Sequence, residues 1–123
     1  MKTISLKEFE IIKSKSLNKW NTGIHQTKES FYSWWDGDGS LRCSFCDRFK
    51  CKEYTEYLPP VCPLDCIVRC AIEWEKIYII MKTYYRSSDY IINELHYAEI
   101  MKQCQLLFDK IVATKYDPKW ENR

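Results

Sequence analysis

Six of the seven cysteines in this 123-residue chain fall between positions 43 and 70: Cys43, Cys46, Cys51, Cys62, Cys66 and Cys70. The seventh, Cys104, stands apart. An odd count suits a closed disulfide framework poorly, because one thiol is left over. The opening residues, Met1 to Glu10, lack the uninterrupted apolar stretch of a secretory leader. The longest wholly apolar or aromatic run, Ile77 to Met81, is far short of the ~20 residues a membrane helix needs. The expected setting is the cytoplasm (a host cytoplasm if the origin is viral), where thiols stay reduced. In that setting clustered cysteines read as metal ligands.

Cys43 and Cys46 form a Cys-x-x-Cys pair, a spacing that lets the chain wrap one ion and present both sulfurs to it. Structural zinc takes four such soft ligands in a closed tetrahedron. Cys62 precedes Pro63, which suits the first position of a helix, so its thiolate would sit near a helix N-terminus that favours negative charge. Cys66 follows one turn later on the same face. The expected ligand set is therefore Cys43, Cys46, Cys62 and Cys66, with Cys51 and Cys70 as alternates for the fourth place. Cys70 lies two turns beyond Cys62, about 12 Å along the axis, and shares an ion with it only if the helix starts later. The Cys-x2-Cys-x4-Cys spacing, with a later Cys-Pro, also stands near known iron–sulfur patterns, and that cluster is the alternative cofactor. A thioredoxin-like redox pair would need a strand-to-helix setting that is missing here.

Only 3 glycines and 4 prolines are present, which favours long helices over a turn-rich sheet. The expected fold is mainly α: an N-terminal helix, an irregular cysteine-rich loop, and a long antiparallel C-terminal helical hairpin. Ser5 with Glu8 has the form of a capping box, flanked by Ile4 and Phe9 at staple positions. Leu6, Phe9, Ile12, Leu17 and Trp20 give an apolar side to a helix over 6–20, with Gly23 as its stop. Lys7, Lys13, Lys15 and Lys19 decorate the other side as solvated surface. Residues 27–35 fit either a short helix or a strand, and Asp36-Gly-Asp-Gly-Ser40 is a turn without the twelve-residue pattern of a calcium loop. Leu64, Ile67, Ala71, Trp74, Tyr78, Met81 and Tyr85 predict a helix over 63–85. Tyr97, Met101, Cys104, Phe108 and Ile111 predict another over 89–114, with Asp89 at its start and Cys104 in the core. One domain is expected over 1–123: an N-terminal helical and aromatic segment (1–40), a cysteine-rich segment (41–70), the helical hairpin (63–115) and a tail (116–123) carrying Trp120.

The 19 basic and 17 acidic side chains leave a net charge of +2, so no strong polyanion preference follows. A local basic and aromatic run, Arg42, Phe45, Arg48, Phe49, Lys50 and Lys52, offers cations for phosphate and rings for base stacking. Glu53, Glu56 and Asp65 answer it immediately. Catalysis has little material: His25 sits in a linker, and His96 with Glu99 makes half a metal site with no second copy. A nucleotide-binding sponge or small metalloenzyme would require a deep pocket holding His96, or an open metal position. The expectation is a non-enzymatic protein that binds another macromolecule, with nucleic-acid regulation through 42–52 as the alternative.

The segment over residues 20–74 resembles small zinc-ribbon-like proteins of bacteriophage and mobile genetic elements. The likeness rests on Trp20, then Cys43, Cys46 and Phe49, then Cys62-Pro63-Leu64, then Cys66 or Cys70. The pattern often carries a cysteine three positions before Cys-Pro-Leu, where this chain has Pro59, leaving Cys51 to take that place. The resemblance implies zinc binding and a protein partner, such as a host protein (defence components included) that a phage-type inhibitor would occupy. The C-terminal hairpin lies outside it.

Overall fold

A computed structural model describes residues 4–41, 45, 71–85 and 91–118. The described residues are mainly helical and contain no strand. Helix α1 (Leu6–Ile24) opens as its capping box requires: the Ser5 side chain accepts from the Glu8 amide at 3.1 Å. Ile4 and Phe9 are both buried, so the chain enters the helix with an apolar clasp on either side of the cap. A four-residue helix α2 (Phe31–Trp34) continues into a π turn (Trp35–Gly39), closed by the Ser40 amide on the Trp35 carbonyl at 2.8 Å. Helix α3 (Ile72–Lys82) and helix α4 (Glu94–Ala113) complete the described body.

Helix α4 lies between α1 and α3. Its fully buried stripe is Ile100, Cys104, Leu107 and Ile111, at the four-three-four spacing of one helix face. Polar ties at both ends show that α4 runs antiparallel to each neighbour. Toward α1, Tyr97 donates to the Gln26 carbonyl at 2.7 Å at one end. At the other, the Lys13 ammonium holds the Val112 and Thr114 carbonyls at 2.9 Å each, and Tyr116 donates to the Ile4 carbonyl at 2.6 Å. Those two carbonyls belong to a helix C-terminus, where a cation is favoured by the dipole as well as by the hydrogen bonds. Toward α3, Lys110 pairs with the buried Glu73, and Tyr84 meets His96 at 2.7 Å. The expected antiparallel hairpin is thus present.

Its details differ from the expectation in four places. The helix expected over 63–85 is not continuous, because Ala71 has extended backbone (ψ 149°) and α3 starts at Ile72. The side-chain period runs through the break undisturbed, so periodicity alone hides it. The last helix starts at Glu94, capped by Asn93 through a 2.8 Å bond to the His96 amide, and not near Asp89. Residues 87–89, expected as the link, lie outside the described residues, as does Trp120. The third difference is at 36–40, expected as a turn: the helix begun at Phe31 runs on through the π turn to Gly39, and the helix-or-strand ambiguity over 27–35 resolves as a turn at 28–30 followed by helix.

The fourth difference concerns Gly23, which lies inside α1 and does not end it; the helix continues to Ile24. A glycine is needed there for a steric reason. The Trp34 ring packs so closely that a Cβ on Gly23 would sit 2.7 Å from it, and one on Gly39 would sit 2.5 Å from it. Trp34 is clamped between two glycines, and edge-to-face contact with Trp20 at 5.6 Å completes the fit. In an open helix, Gly→Ala stabilises by about 0.5–1 kcal/mol. Here Gly23→Ala is expected to destabilise the fold by about 1–3 kcal/mol through overpacking, read as a lower denaturant midpoint. A rise in stability would show that Trp34 is not seated there.

Candidate metal centre

The expected ligands Cys43, Cys46, Cys62 and Cys66, and the alternates Cys51 and Cys70, all lie outside the described residues. What the structure does describe is the frame from which that stretch departs and to which it returns. Before it, the Leu41 carbonyl accepts from the Lys19 ammonium at 2.8 Å. Phe45, between Cys43 and Cys46 in the chain, is fully buried, with its ring set at 64° and 6.1 Å to Phe9. Phe9 also packs on Tyr116 at 5.8 Å, so Phe45 enters the core where α1 begins and α4 has ended.

After the stretch, Ala71 is buried and α3 begins at once. Trp74, in the first turn of α3, donates its indole N–H to the Gly39 carbonyl at 3.0 Å. It also packs on Trp35 at 5.6 Å and stacks on Tyr78 at 5.2 Å with the planes only 9° apart. Trp35 in turn donates to the Tyr85 hydroxyl at 2.7 Å. Residues on the two sides of the cysteine stretch, 35 positions apart, therefore touch. Sequence reading did not find this closure; the excess of tryptophan in 34–35 and at 74 was its available signal.

The other candidates resolve into structural roles. His96 Nδ1 faces the Tyr84 hydroxyl, which itself accepts from the Asn93 amide at 3.0 Å. Together these two hydrogen bonds tie the corner between α3 and α4. Glu99 accepts from Gln103 at 2.8 Å. His25 caps the C-terminal end of α1, its Nδ1–H donating to the Asn21 carbonyl at 2.7 Å. Asp36 and Asp38 are exposed on the π turn. Among the described residues, no group of three or more His, Cys, Asp or Glu side chains is placed to hold a metal ion.

For the nucleic-acid alternative, Phe45 would have to leave the core before a base could stack on it. Arg42, Arg48, Phe49, Lys50 and Lys52 lie outside the described residues. No helix among the described residues is long and apolar enough to cross a membrane. Compared with known proteins, the chain matches no family model, no curated protein and no solved structure.

Cys104 is the counterexample among the cysteines. It is fully buried in the α4 stripe, and burial pushes its thiol up from 9.0 to about 12. Because burial favours the neutral form, its share of stability is intact below pH 9 and lost as the pH rises toward 12. A thiol of this kind is a small apolar core residue and a poor nucleophile. Brief iodoacetamide treatment of the native protein at pH 8, followed by peptide mapping, is expected to leave Cys104 unmodified, with full labelling after denaturation. Equal labelling in both states would place the thiol at the surface.

Proposed function

We propose that the chain is a non-enzymatic zinc-binding interaction protein, in which the cysteines of residues 43–70 hold one structural ion and the helical body carries the surface that engages a protein partner. The carrying observation is the contact between Gly39 and Trp74. Cys43 and Cys70 stand four residues from either side of it. Each is therefore within about 14 Å of that contact even along a fully extended chain. Convergence of distant cysteines is what a closed tetrahedral site requires. The ordering entropy of a metal loop is smaller when the body already brings its ends together.

The ligand set retained is Cys43, Cys46, Cys62 and Cys66, with Cys51 and Cys70 competing for the fourth place. The resemblance of residues 20–74 supports zinc and a host protein as the partner class.

Native mass spectrometry of protein purified without added metal is expected to show one zinc ion per chain. Visible absorption near 400 nm in place of zinc would favour the iron–sulfur alternative. Cys43→Ser and Cys46→Ser are expected to abolish the ion, and Cys104→Ala to retain it at the cost of a core cavity worth about 1–2 kcal/mol. A metal-free chain that melts identically with and without chelator would overturn the proposal.

A further inference from the structure

Leu95, Glu99, Lys102 and Leu106 lie on α4 at steps of four, three and four, and so form one stripe. Leu95 is 85% exposed and Leu106 47%; Lys102 is exposed and Glu99 half-buried. The stripe runs along the outer flank of α4 on its α3 side. Glu99 follows His96, which meets Tyr84, and Leu106 precedes Lys110, which meets Glu73. On α3, Ile72 and Ile79 are also exposed, a heptad apart. Large aliphatic side chains held this far into water on two neighbouring helices are not needed for the body's own core.

We propose that this face is where a second copy of the chain docks, with the two α4 helices antiparallel about a two-fold axis. The order of the side chains selects both the occupant and the direction. Turning a copy of α4 about the midpoint between Ile100 and Met101 sets Leu95 opposite Leu106 of the second copy, and Glu99 opposite Lys102 of the second copy. The same contacts repeat by symmetry, giving two aliphatic pairs and two opposite-charge pairs in a closed, self-complementary interface. A parallel arrangement would instead set Glu99 against Glu99 and Lys102 against Lys102, which is repulsive throughout. The Glu99 carboxylate accepts one hydrogen bond from Gln103, which orients it while an oxygen remains for the facing lysine. This inference is independent of the metal reading.

Sedimentation velocity in reducing buffer, from about 10 to about 300 μM chain, tests it. The wild type is expected to pass from monomer to dimer across that range. Glu99→Lys and Lys102→Glu each turn two attractive pairs into two repulsive ones and are expected to weaken the dimer by about tenfold or more. The double variant E99K/K102E restores opposite charges across the axis and is expected to regain wild-type association. Leu95→Lys is expected to give a folded monomer, because the side chain it replaces lies in solvent; circular dichroism confirms folding for every variant. A wild type that stays monomeric throughout, whatever other helix it then captures, overturns the proposal. So does a dimer indifferent to the single reversals, or a double variant that fails to recover.

Discussion

Burial of one face of α4 between α1 and α3 is the constraint on which the described body rests. Ile100, Leu107 and Ile111 each contribute on the order of 1.5–3 kcal/mol when fully withdrawn from water. Apolar attraction of this kind has no direction, so it does not by itself decide how the helices slide along one another. Register comes from the polar ties at their ends: Lys13 on the last carbonyls of α4, Lys110 on Glu73, and the Tyr84, Asn93 and His96 corner. Lys110 satisfies the buried Glu73 carboxylate, which would be costly to bury alone, and ties at both ends of α4 together admit only antiparallel packing.

The aromatic corner does a different job. Trp34 fills the space left by Gly23 and Gly39, Trp35 stacks on Phe31 and reaches Tyr85, and Trp74 joins the π turn to α3. Rings bury large area with few torsions to freeze, so they can hold α1, the turn and α3 together without a fourth long helix. The corner also fixes where the cysteine stretch leaves the body and where it rejoins.

Much of this was legible in the residues. Ser5 with Glu8, and Ile4 with Phe9, marked the first helix start because capping depends on side-chain chemistry at fixed offsets. The helical stripe of α4 was visible but centred one residue off: Ile100 and Leu107 are buried, while Tyr97, Met101 and Phe108 flank them half-buried. Wide amphipathic faces allow that rotation without changing the period. Gly23 was misread because a glycine that ends a helix and one that admits a neighbouring ring look identical without the neighbour. The break at Ala71 escaped because side-chain spacing carries no record of a single ψ angle. Phe45 read as a stacking ring from its basic neighbours, whereas its burial depends on Phe9, far away in sequence. For the candidate site, spacing nominated six thiols, but selecting four among them depends on loop geometry that no local pattern encodes.

The Gly39 and Trp74 contact has an evolutionary corollary. Because the helical body sutures the roots of its own insert, the chain beyond Phe45 can lengthen, shorten or change composition while the scaffold keeps its shape. Doubling such an insert costs only about 0.6 kcal/mol in closure entropy. The arrangement is that of a handle with interchangeable heads: the frame keeps its shape, and with it whatever surface it presents, while the insert between its roots varies.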